Sequence, residues 1–158
     1  MTLTLALQRL WNQNQEEGRP QRRTRTAPLK AGVPTLAKGI TRPASPQLLE
    51  RFAFAGTWRS ALLGQTWLSE SRMRQAWNAG TLREQVEVRE KYWDNSILTI
   101  ESAERVTLFA LDQEDNDETY LVWKGEKEPR VLLYSGHSET WYPDLLRFVT
   151  AFLGDGQR

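Results

Sequence analysis

The sequence predicts an α+β fold: an antiparallel β-meander of about four strands packed by N-terminal and C-terminal helices. Three observations carry that expectation. Short β-branched and aromatic runs recur through residues 96–134, separated by links of hairpin length. A helical apolar stripe (Leu3, Leu7, Leu10, Trp11) opens the chain, and a second one (Leu145, Leu146, Phe148, Val149, Phe152, Leu153) closes it.

In chain order, the first stripe gives a helix over residues 2–15, ended by Gly18 and Pro20. From Gly18 to Pro46 the texture changes. Five prolines and a basic cluster (Arg19, Arg22, Arg23, Arg25) leave no room for a long helix or a central strand. An extended arm or mobile linker is expected there, which divides the chain into residues 1–44, helix plus basic Pro-rich arm, and an α+β domain at 45–154. Ser45-Pro46 reads as an N-cap followed by a helix-starting proline, with Leu48, Leu49 and Phe52 as the buried face. Residues 58–68 are apolar without a clean period and receive no assignment. Ser69 caps a further helix that buries Met73, Ala76 and Trp77 and stops at Gly80. A polar stretch at 82–91 is compatible with more helix.

Strands are expected at 96–100, 105–111, 119–123 and 130–134. The runs Tyr120-Leu121-Val122-Trp123 and Val131-Leu132-Leu133-Tyr134 are apolar on both faces, so the sheet needs cover on at least one side. Pro143 opens the last helix and Gly154 closes it.

The 158 residues suit one core of ordinary size. Cysteine is absent, which excludes disulfides, thiolate nucleophiles and Cys-based metal sites and suits a reducing compartment. The first residues lack the pattern of a secretory signal, and no apolar run is long enough for a bilayer. A cytoplasmic protein that does not enter membranes is the expectation. Charge is split: residues 1–70 hold ten Lys/Arg against four Asp/Glu, and residues 71–158 hold eleven against sixteen.

Two stretches resemble the SMI1/KNR4 (SUKH) superfamily. One runs from Val106 to Leu153. It holds Leu108-Phe109-Ala110, an acidic turn, Tyr120-Leu121-Val122-Trp123, Val131-Leu132-Leu133-Tyr134, a Ser-Gly bend and the closing Asp144-Leu145-Leu146-Arg147-Phe148. The other is Leu63-Gly64-Gln65-Thr66-Trp67-Leu68-Ser69-Glu70, leading into a helix that bears Trp77. Near the front, where members usually carry a Leu-Pro, an aromatic helix and an Asn-Gly turn, this chain has its basic Pro-rich stretch. The resemblance implies a non-enzymatic protein-binding domain. In bacteria that often means an immunity protein that neutralises a toxin, with an acidic surface steering a basic partner.

Candidate sites divide by charge. Asp112, Glu114, Asp115, Asp117 and Glu118 form an acidic run that is either a solvated hairpin tip or a partner site, with Trp141 as a further candidate contact. The run lacks the glycine and terminal glutamate of an EF-hand loop, and no metal or cofactor is expected. Arg19, Arg22, Arg23 and Arg25 could bind nucleic acid phosphates or an acidic partner, with no aromatic interleaved for base stacking. His137, in Ser135-Gly136-His137-Ser138-Glu139, is a turn residue without a nucleophile elbow. The pairs Glu101/Glu104 and Glu84/Glu87 are spaced like exposed charges. Phosphate-loop patterns are absent from the sequence. No catalytic residue is assigned, and the chain is expected not to be an enzyme.

Overall fold

Thr2 sets the first helix. Its hydroxyl accepts the Leu5 N–H at 3.3 Å, and α1 (Leu3–Glu16) follows with Leu3, Ala6, Leu7 and Leu10 buried. Gly18, at φ +68°, turns the chain out of the helix, while the Arg19 N–H donates to the Asn14 carbonyl at 2.9 Å. The computed structural model describes residues 1–26, 29, 31–78, 84, 101–112, 114, 117–136 and 138–154. The strand expected at 96–100, most of the 82–91 stretch, Asp115 and His137 lie outside those residues, as do the side chains of Ala76 and Trp77.

The described residues between Gly18 and Ser45 form no α-helix and pair with the rest of the fold. They contribute β1 (Arg22–Arg23) and a small hairpin, β2 (Val33–Pro34) with β3 (Thr41–Arg42). Prolines forbid a long ladder here but not a two-residue one. Val33 and Leu36 are buried, the Leu36 N–H donates to the Val106 carbonyl at 2.8 Å, and Thr107 Oγ1 donates to the Pro34 carbonyl at 2.6 Å. The apolar cluster includes Leu3, Leu7, Leu10, Val33 and Leu36 together with residues from 48 to 149.

α2 (Pro46–Phe54) starts at Ser45, whose Oγ accepts the Leu48 N–H at 3.4 Å. Leu48 and Phe52 are buried as expected. Leu49 is 55% exposed, and Arg51 takes the inner position instead. Helical spacing explains the exchange: Leu48, Arg51, Phe52 and Ala55 recur at i, i+3, i+4 and i+7, whereas Leu49 falls off that stripe.

β4 (Trp58–Leu62) and β5 (Gln65–Trp67) form a hairpin through Leu63 (φ +53°) and Gly64 (φ +71°), two consecutive left-handed residues of the kind a two-residue turn needs. Ser60, at φ +52°, lies within a register shift of β4. That irregularity breaks the alternation that would have marked the strand in the sequence. α3 (Glu70–Asn78) follows, with Ser69 Oγ accepting the Arg72 N–H at 3.3 Å and Met73 buried.

A 3-10 turn at Ala103–Arg105 leads into the meander of β6 (Val106–Asp112), β7 (Asp117–Val122), β8 (Arg130–Ser135) and β9 (Ser138–Tyr142). The sheet runs β1-β4-β5-β6-β7-β8-β9, antiparallel throughout. β6, β7 and β8 are buried on both faces, which accounts for their unbroken apolar runs. On the helix-covered face, aromatic rings link α1 and α2 to the C-terminal helix. Trp11 lies 5.9 Å from Trp58, Trp58 5.3 Å from Trp67, and Trp67 6.5 Å from Phe148. Phe148 belongs to α4 (Leu145–Thr150), capped by Asp144 Oδ1 accepting the Arg147 N–H at 2.8 Å. Beyond α4, Gln13 of α1 bonds the Phe152 carbonyl at 3.1 Å and the Gly154 N–H at 2.7 Å. Helices and an antiparallel sheet thus make an α+β fold, as the sequence predicts. Among the described residues no helix is long and apolar enough to cross a membrane.

Candidate anion-binding cleft

The β1–β4 ladder sorts the basic cluster by strand alternation. Arg23 sits opposite Trp58 and joins the helix-covered face. Its guanidinium lies 4.6 Å from the Trp11 ring centre and 4.4 Å from that of Phe54, and it donates to the Phe54 carbonyl at 3.4 Å. Arg22 sits opposite Arg59 on the other face. These two, with Arg72 from the first turn of α3, line a solvent-open cleft of about 410 Å³. Thr24, Ser69 and Ser71 add hydroxyls to its wall, with Thr57 and Gln75 beside them, and among the described residues no carboxylate lines it.

None of the three arginines forms an ion pair among the described residues, although Arg19, Arg74 and Arg130 each do, with Glu17, Glu70 and Glu126. Like charges placed directly opposite across a ladder destabilise it. Arg22 and Arg59 are such a pair, and a bound anion is what would reverse the sign of their interaction.

The backbone around the cleft is fixed. Thr24 and Thr57 continue the ladder, with the Thr24 N–H donating to the Thr57 carbonyl at 2.9 Å and the Thr57 N–H to Thr24 Oγ1 at 2.9 Å. Gly56 allows this approach, because a Cβ there would stand 2.5 Å from Thr24 Oγ1 and 2.7 Å from the Arg25 carbonyl oxygen. Behind these segments lies Arg51, fully buried. It donates to the carbonyls of Ala55, of Gly56 at 2.9 Å and of Leu68 at 3.1 Å, with Phe52, Trp67 and Phe109 rings around it. Burial lowers its pKa to about 9, so it remains a cation at neutral pH. Gly56 and Leu68 directly precede Thr57 and Ser69 of the cleft wall, so this fourth positive charge stands behind the other three.

A second compartment of about 390 Å³ adjoins the first and shares Thr24, Ser69 and Ser71 with it. Its wall is more apolar, with Leu29, Ala31 and Phe52, and it carries Arg25 and the Glu70–Arg74 ion pair.

The four arginines singled out in the sequence therefore do not form one patch. Arg22 faces the cleft, Arg25 the adjoining compartment and Arg23 the aromatic rings, while Arg19 pairs with Glu17 at 2.7 Å. The acidic run is also divided. Asp112 Oδ1 accepts the Glu114 N–H at 3.0 Å, and Asp117 accepts from the Gly136 N–H at 3.0 Å and Ser135 Oγ at 3.3 Å. Glu118 is buried between Leu111 and Tyr134 in the sheet, whereas Glu114 is exposed. Trp141 is half-buried on β9, with Lys124 Nζ 5.1 Å above its ring. Among the described residues no group of three or more His, Asp or Glu is placed to hold a metal ion. Arg59 and Arg72 have no local sequence signal; strand pairing and the start of α3 bring them to Arg22.

Comparison with protein-family models, with curated proteins and with solved structures gave no match.

Proposed function

We propose that the chain is a non-enzymatic, cytoplasmic protein-binding domain that takes a negatively charged segment of its partner into the cleft of Arg22, Arg59 and Arg72. The observation that carries this reading is the opposed Arg22–Arg59 pair, which has no carboxylate to neutralise it among the described residues. Guanidinium groups suit carboxylate and phosphate equally, since each offers a planar fork of donors. A protein partner is favoured over nucleic acid because the basic cluster is not a continuous track. Arg23 lies against rings on the opposite face from Arg22, and Arg19 pairs with Glu17, so the cluster offers no single row of cations to follow a phosphate backbone.

The SUKH-like reading, including an immunity role, keeps the same class of function with a different surface, the acidic tip around Glu114. It has less support, because Asp112 and Asp117 hold turns and Glu118 is buried. Fluorescence anisotropy separates the readings. A labelled oligoglutamate peptide, a labelled oligolysine peptide and a labelled single-stranded oligonucleotide are titrated with the chain and with an Arg22→Ala/Arg59→Ala/Arg72→Ala variant. Our reading requires oligoglutamate binding that the triple variant loses. Oligolysine binding alone would move the site to the acidic tip, and tight binding of the oligonucleotide alone would replace a protein partner with nucleic acid.

A further inference from the structure

We infer that the arginine cleft and the compartment beside it form one bipartite site for a peptide side chain that carries an anionic head on an apolar body. This inference rests on the cleft reading above and adds the chemistry of what the cleft accepts.

The argument begins with the shared wall. Thr24, Ser69 and Ser71 border both compartments, so the two lie side by side along one stretch of wall, within reach of a single elongated ligand. Their chemistry differs in a useful direction. On one side stand three guanidinium groups and, among the described residues, no carboxylate. On the other, Leu29, Ala31 and Phe52 offer apolar surface, and the carboxylate of Glu70 is held by Arg74 at 3.0 Å. A compact inorganic anion would use the first side only and leave the apolar wall wet. A polyanion would meet Arg25 and the Glu70–Arg74 pair there but would leave the surface of Leu29, Ala31 and Phe52 in water. A head-and-body side chain satisfies both: the head exchanges water for arginine forks, and the body removes apolar surface from water. Phosphorylated and carboxylated side chains share this chemistry.

Phenyl phosphate, benzoate and inorganic phosphate are the probes, titrated into the full chain and followed by NMR chemical shifts at constant ionic strength. Phenyl phosphate should bind about tenfold more tightly than inorganic phosphate, the gain expected from partly burying one ring. Two substitutions locate the gain. Ala31 is exposed, so Ala31→Trp fills the apolar side without disturbing the core, and Leu29→Ser removes part of its wall. Both should abolish the advantage of the phenyl group while leaving inorganic phosphate affinity as it was, which also serves as the folding control. A phenyl phosphate preference over benzoate identifies the head as phosphate, and the reverse identifies it as carboxylate. Equal affinity for phenyl phosphate and inorganic phosphate overturns the bipartite inference but leaves the cleft standing. A phenyl advantage that survives both substitutions overturns it too. If none of the three probes binds, the cleft reading itself falls.

Discussion

Arg22 and Arg59 face each other across an antiparallel ladder, and neither has an ion-pair partner among the described residues. One residue further on, Arg23 faces Trp58 and lays its guanidinium, still exposed, against the rings of Trp11 and Phe54. Adjacent arginines thus serve opposite faces of the sheet: one rests on aromatic rings, and the other meets only a second arginine.

That contrast predicts different outcomes for adjacent substitutions. Arg23→Ala removes two cation–π contacts and should lower unfolding stability by about 1–2 kcal/mol while leaving phosphate affinity unchanged. Arg22→Ala should weaken phosphate binding with no loss of stability. Urea denaturation and a phosphate titration on each variant check both statements.

Arg51 carries the second prediction. Its guanidinium joins the end of α2 to the residue that follows β5 by donating to the carbonyls of Ala55, Gly56 and Leu68. In Arg51→Met those carbonyls lose their donors at about 1–3 kcal/mol each, partly offset by removal of a buried charge, for a net loss of about 3 kcal/mol. Arg51→Lys should recover part of it. A loss below about 1 kcal/mol on urea denaturation would show that water replaces the donor there.

Tyr142 gives a pH dependence. Burial raises its phenol pKa above the usual 10. Between 10 and that higher folded value the native state binds more protons than the unfolded state, so stability falls as pH rises through this window. The contribution is fully present below pH 10. Tyr142→Phe should therefore show a shallower decline than the parent above pH 10, with no difference in slope near neutrality, as read by denaturation across that range.

Much of the fold is legible in the sequence. Ser45 and Ser69 cap helices where their residue types predict caps, and the apolar runs of β7 and β8 announce a sheet that needs cover, whereas the last helix is capped by Asp144 and not opened by Pro143. The β4–β5 hairpin is hidden because Ser60, Leu63 and Gly64 adopt positive φ and interrupt its period. β9 is hidden because Ser138, Glu139 and Thr140 are exposed and polar, so no apolar run marks it. Arg51 is hidden for a different reason: an arginine on a helix normally marks a solvated face, and only its place on the Leu48–Phe52 stripe betrays its burial. The cleft is least visible of all. Arg22, Arg59 and Arg72 come from two strands and a helix, and only the pairing register and the placement of α3 bring them together.

The most direct test is the stability of Arg59→Glu with and without phosphate, relative to the parent chain. Without phosphate, replacing one of two opposed like charges should leave the variant as stable as the parent, or more stable by up to about 1 kcal/mol. Phosphate strengthens burial in any protein, so the difference between the two chains is what matters. Specific binding should stabilise the parent further, by an amount that grows with phosphate concentration, and this increment should vanish in Arg59→Glu. A variant that is less stable than the parent, yet gains as much from phosphate, would contradict the claim that these arginines are held apart from carboxylates for an anionic partner.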